Sequence, residues 1–199
     1  GSPQRPPRPC RAGRACRVRV ELIWAMEIRD GEYMRLALAA ARAAADKGEV
    51  PVGAIIVANG EIVGTGYNCR EGQQNPLGHA EIVAIQEATR RRRAWRLEDC
   101  DIYVTLEPCL MCAGAILQAR IRRLVFGCLD SKAGAVESLY RLCEDRRLNH
   151  QLPVTGGVLA DESAALLADF FSRLRLQKRE TEKSERSGRD RLKASESNP

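Results

Sequence analysis

No apolar run in the 199 residues approaches the roughly 18–20 needed to span a bilayer, because charges or glycine interrupt every hydrophobic stretch. A transmembrane protein is excluded and no membrane partner is expected. Nothing resembles a secretory signal either, so the eight cysteines do not read as a disulfide scaffold. Cys10, Cys16, Cys69, Cys100, Cys128 and Cys143 are expected to be ordinary reduced thiols. Histidine is scarce: there are two, and His150 lies in a polar stretch that reads as surface. No internal repeat is present. With 44% hydrophobic and 29% charged residues but only 5% aromatic ones, the chain fits one compact domain plus some unpacked tail.

A basic body is also missing, although the net charge of +6 invites a nucleic-acid reading. Residues 1–25 carry six Arg against one Glu, and residues 180–199 balance five basic against five acidic groups. The residues between them hold 21 basic and 20 acidic groups, so any nucleic-acid site must be a local patch and not a bulk field.

Residues 1–25 alternate Arg with Pro, Ala, Gly and Cys and are expected to be a disordered, non-native leader. Gly1-Ser2 reads as a tag-cleavage scar and Met26 as the translation start. An Arg-rich organellar leader is the rival, opposed by little Ser and several prolines. Residues 180–199 are almost devoid of apolar side chains and are expected to be a disordered charged tail. The folded domain is expected over residues 26–179.

Within it, helix and strand signals alternate. Asp30 can cap a helix whose apolar face includes Tyr33, Leu36, Ala37, Ala40, Ala41 and Ala44, ending near Gly48. Strands are expected over 52–58 and 61–67, joined by the hairpin pair Asn59-Gly60. A polar loop over 68–78 precedes a helix over 79–92, a strand over 101–106, a helix over 109–120 and a short strand over 123–126. An edge strand over 154–158 and a last amphipathic helix capped by Asp161 complete the pattern. The order predicts an α/β fold, a three-layer α/β/α sandwich around a mixed sheet of about five strands.

Cys109 and Cys112 form P-C-x-x-C where a strand gives way to a helix, placing both sulfurs on one helical turn with amide groups aimed at them. Alone, the pair fits a redox dithiol as well as a metal site. His79-Ala80-Glu81, opening the preceding helix at the same end of the sheet, supplies the nitrogen ligand for a tetrahedral zinc site. Three protein ligands leave the fourth position to water, the composition of a catalytic zinc. Singly, His79 reads as a capping or core histidine and Glu81 as an ordinary first-turn acid.

H-x-E, a gap of under thirty residues, then P-C-x-x-C resembles the signature of the zinc-dependent nucleobase deaminases. In such a site zinc makes hydroxide available near neutral pH for attack on the carbon bearing the exocyclic amine, and Glu81 moves protons as general acid and base. The runs Glu49 to Ala54, His79 to Ile82, Tyr103 to Ala115 and Asp161 to Phe171 resemble more narrowly the bacterial tRNA-specific adenosine deaminases, over about residues 27–178. That resemblance implies a cytidine deaminase-like fold, one Zn2+ per subunit, a cytoplasmic homodimer, and deamination of adenosine to inosine at the wobble position of an arginine tRNA anticodon stem-loop.

By the same resemblance Asn68 and the Ala80 backbone amide contact the flipped base, and Val52, Leu106 and Pro108 wall the pocket. Asp130 and Lys132 match a loop lying against RNA, and Phe170, Phe171 and Arg173 a helix bordering the anticodon loop. Read alone, Asn68 is equally a turn former. The loop before His79 departs from the family's usual Asp-Pro-Thr-Ala, reading Asn75-Pro76-Leu77-Gly78. The run Arg90 to Arg93 reads as a solvated helix face before a phosphate clamp. Two rival functions share the zinc motifs: a small-molecule guanine or cytosine deaminase, and a catalytically dead RNA-binding subunit. Glu81 argues against the latter, since a scaffold needs ligands but no proton shuttle.

Overall fold

The computed structural model describes the backbone of residues 14–196 and the side chains of residues 28–181. Strands β1 (Gly53–Ala58) and β2 (Glu61–Tyr67) meet at Asn59-Gly60, whose φ values of +51° and +87° supply the left-handed pair of a type I′ hairpin. Strand β3 (Cys100–Leu106) lies antiparallel to β1, whereas β4 (Arg123–Cys128) and β5 (Val154–Thr155) continue the sheet in parallel, giving the order β2-β1-β3-β4-β5. The expected five-stranded mixed sheet is therefore present, with β5 cut to two residues before Gly156 and Gly157.

Alternation along the strands divides the core into two layers. Ala54, Ile56, Ile102, Val104, Leu124 and Phe126 pack against α3 (Ala80–Arg92) and α4 (Leu110–Gln118). Ile55, Val57, Tyr103 and Val125 face the opposite way, toward Met34 and Ala37 of α1 (Arg14–Ala45). Helix α5 (Ala160–Glu196) packs on that second face, where Ser163 meets Gly127 of β4. The result is the expected α/β/α sandwich.

Glycine sets how closely α1 approaches. A Cβ on Gly53 would stand 2.1 Å from the Ala37 carbonyl oxygen and 2.5 Å from the Ala41 nitrogen, so the sheet touches helix backbone there. Gly53→Ala is expected to cost ~3 kcal/mol by overpacking, lowering the melting temperature by ~6–12 °C. An unchanged thermal denaturation curve would show that α1 is not seated as described.

Several expectations are corrected. Asp30 does not cap α1, which begins at Arg14 within the described residues and runs straight through that position. Instead Asp30 is buried and holds Arg123 through both carboxylate oxygens, while the Tyr103 hydroxyl donates to it at 2.9 Å. Of the expected helical face, Ala37, Ala41 and Ala44 are fully buried, but Met34 and Leu38 join them there, whereas Leu36 is 46% exposed. Residues 14–25 of the supposed disordered leader are helical, the leader's prolines all falling before Cys10 and its last glycine at Gly13. The expected disorder of residues 1–13 lies outside the described residues. The tail is likewise helical to Glu196, in a stretch rich in Lys, Arg and Glu, which favour helix without needing a core. Asp161 sits inside the first turn of α5 and is not its cap.

Candidate active site

The C-terminal ends of β2 and β3 and the N-termini of α3 and α4 converge on one corner of the sandwich. His79 and Cys109 occupy the residue just before α3 and α4 respectively, each with extended backbone and neither making a side-chain capping bond. Their side chains are thus free to meet. His79 Nδ1 lies 3.7 Å from Cys109 Sγ and 3.5 Å from Cys112 Sγ, and the three donor atoms all fall within 4.8 Å of one another.

These separations test the fit to a metal. Zinc bonded to sulfur at about 2.3 Å and nitrogen at about 2.0–2.1 Å with tetrahedral angles sets N···S near ~3.6 Å, which both observed distances match. Two thiolates and one imidazole also form a donor set suited to zinc. The arrangement already favours a thiolate: hydrogen bonds from Cys112 and His79 hold Cys109 down at about 3. Bonding to that sulfur and burial push the Cys112 thiol up. The bond to Cys109 raises His79 as well.

Beside His79, Cys109 and Cys112 lies a cavity of about 220 Å³ lined by Val52, Asn68, Ala80, Glu81 and Leu106, with Arg70 and Asp130 among the residues around it. Glu81, the second residue of α3, is only 4% exposed, and burial pushes its carboxyl above the ordinary carboxylate range. Ala80 is the first residue of the helix, so its N–H has no intrahelical partner and remains available. Pro108 is placed differently from expectation: it is buried outside the cavity lining, and its carbonyl accepts from Ala135 N at 2.9 Å.

The outlying candidates separate. Asp130 borders the cavity, and its Oδ1 accepts from Lys132 N at 2.9 Å, while the Lys132 side chain is exposed and outside the lining. Phe170 and Arg173 line another cleft, of about 610 Å³, between the end of α1 and α5. Phe171 stacks edge-on against Phe170, and Arg173 pairs with Asp169. The structure does not bring these three to the zinc corner. Two arginines of the Arg90 to Arg93 run are engaged structurally, Arg91 with the Ile62 carbonyl and Arg92 with Asp99, both at 2.8 Å. His150, expected on the surface, is half-buried with Nε2 at 2.9 Å from the Ile121 carbonyl oxygen. Cys69, Cys100, Cys128 and Cys143 are free, as expected; the side chains of Cys10 and Cys16 lie outside the described residues.

The sequence reading missed two buried acids at this corner, Glu49 and Glu107. Burial opposes ionisation of Glu107, yet hydrogen bonds from the Ser138 hydroxyl and from the N–H groups of Ser138, Glu137 and Asp130 hold its carboxyl down at about 2. It thereby fixes the 130–138 loop at the cavity edge. The one signal available was an acid interrupting an otherwise apolar strand end.

Residues 27–128 match the model of the cytidine and deoxycytidylate deaminase zinc-binding region. A tRNA-specific adenosine deaminase of Bacillus subtilis is 44% identical over 155 residues, spanning 78% of this chain and 96% of that protein. One of Haemophilus influenzae is 46% identical over 151 residues, 75% and 87% of the respective chains. A solved structure from studies of A-to-I editing by tRNA:A34 deaminases superposes with a TM-score of 0.66 at 43% identity, covering 68% of this chain and 99% of that one. The guanine deaminase of Nitrosomonas europaea, 24% identical with a TM-score of 0.59 over 70% of this chain and 83% of its own, shares the fold. Donor-atom geometry, domain match and similarity over 78% of the chain agree: the chain belongs to the family of zinc-binding cytidine and deoxycytidylate deaminases, on the branch that holds these tRNA-specific adenosine deaminases.

Proposed function

We propose that this zinc-dependent hydrolase converts adenosine to inosine at the wobble position of an arginine tRNA, acting as a cytoplasmic homodimer on the anticodon stem-loop. The observation that carries the reading is Glu81 buried beside His79, Cys109 and Cys112 at a cavity, in a chain 44% identical to a tRNA-specific adenosine deaminase over 96% of that protein's length. His79, Cys109 and Cys112 would hold the ion, which when bound supplies the Lewis acidity that brings the pKa of water down toward neutrality. Glu81 takes the proton of the attacking water, passes it to ring nitrogen N1 and assists departure of the amine as ammonia, leaving the C6 carbonyl of inosine. The Ala80 N–H and Asn68 orient the base, and Val52 and Leu106 provide the apolar wall against which it lies. Asp130, Lys132, Phe170, Phe171 and Arg173 remain candidates for contact with the flanking RNA, where unpaired loop bases are cheap to splay out. No described helix is long and apolar enough to cross a membrane.

The test is direct competition of substrates. Zinc-loaded protein incubated with free guanine, free cytosine and an arginine tRNA carrying adenosine at the wobble position is expected to form inosine in the tRNA and leave both free bases unchanged. Rapid turnover of a free base with the tRNA untouched would overturn the assignment in favour of a small-molecule deaminase.

A further inference from the structure

Glu49 is 3% exposed, in the segment between α1 and β1, and no step of the chemistry above uses it. An acid buried this deeply needs compensating hydrogen bonds. It has three: Oε2 accepts from Asn68 Nδ2 at 3.3 Å and from Glu71 N at 3.2 Å, and Oε1 accepts from Gly72 N at 2.6 Å. Glu71 and Gly72 belong to the short helix α2 (Arg70–Gln73), whose first amides have no intrahelical partners. A single carboxylate therefore grips both Asn68 and the turn that carries Arg70 to the cavity.

The chemistry of the grip matters. Both Glu49 oxygens accept in these bonds, so the group takes the Nδ2 edge of the Asn68 amide and turns Oδ1 away. That fixes which edge of the amide faces away from Glu49, leaving Oδ1 and one N–H in a defined order for a ligand. The Asn68 backbone is held too, its N–H donating to the Val52 carbonyl at 3.0 Å. A residue serving only to close the loop would need the Glu71 and Gly72 contacts alone.

We infer that Glu49 is a positioning residue for substrate recognition: it sets the orientation of the Asn68 amide and ties it to the turn bearing Arg70. The inference rests on the reading of Asn68 as a base contact. Glu49→Gln is expected to lower kcat/KM on an anticodon stem-loop RNA roughly ten- to a hundredfold, with zinc content and melting temperature near wild type. Asn68→Ala should lose a similar factor, and the double variant no more than Asn68→Ala alone, because Glu49 acts through Asn68. If Glu49→Gln lowers the melting temperature, Glu49→Asp, which keeps the charge but shortens the reach, replaces it in the same comparison.

A second readout needs no substrate. The side-chain amide resonances of Asn68 in zinc-loaded wild-type protein should exchange slowly with solvent, and in the Glu49 variant should move toward the positions of exposed asparagines. Losses that multiply in the double variant, or Asn68 resonances unmoved by the substitution, overturn the proposal. Wild-type protein that forms no inosine overturns the assigned function instead, and the resonance comparison then decides the Glu49 contact by itself.

Discussion

Glu81→Gln is expected to keep one zinc per chain and lose roughly 10²- to 10⁴-fold in turnover, or about 3–5.5 kcal/mol of transition-state stabilisation. Glu81 is not among the three side chains that could hold the metal, so the donor set survives the substitution intact. The amide has nearly the shape of the carboxyl but cannot carry a proton between water, N1 and the leaving amine. Stability should hold or rise, because burial works against the ionised acid at this position and the neutral isostere removes that penalty. Metal analysis, a melting curve and single-turnover inosine formation together check the claim. Near-normal turnover would remove Glu81 from the mechanism; absent turnover in the wild type as well would favour a non-catalytic RNA-binding subunit.

Much of this site was legible because its chemistry is local in sequence. His79 and Glu81 are two residues apart, Cys109 and Cys112 three, and each pair opens a helix at the end of the sheet, so each motif was readable locally, while their union in one site was implied by the resemblance to the deaminase signature. The Asn59-Gly60 hairpin was readable for the same reason, its left-handed pair being a property of those two residues. What escaped depended on distant partners. Asp30 looked like a helix cap until Arg123, 93 residues away, claimed its carboxylate. The alanine-rich α1 carries small side chains on several faces, so its phase is set by where Gly53 admits the helix and not by its own pattern. Glu49 and Glu107 act through loops that only the folded chain places beside them. Phe170 and Arg173, which the family resemblance implied would border the anticodon loop, lie in a cleft apart from the zinc corner.

Cys109→Ala, by contrast with Glu81→Gln, is expected to lose zinc and turnover together. Removing one of three protein donors leaves an imidazole and a single buried thiol, Cys112, whose own ionisation burial opposes. The stability consequence follows from linkage: a ligand that binds only the folded state adds about 4 kcal/mol when present at roughly a thousand times its dissociation constant. Stripping zinc from the wild type with a chelator should therefore lower its melting temperature by ~8–16 °C, whereas the variant should already melt near the stripped value and ignore the chelator. Loss of a helix cap cannot mimic this result, because Cys109 precedes α4 without making any side-chain capping bond. A Cys109→Ala protein that still responds to chelation would mean that the metal is held by side chains other than the three assembled here, and the catalytic assignment of His79 and Cys112 would fall with it.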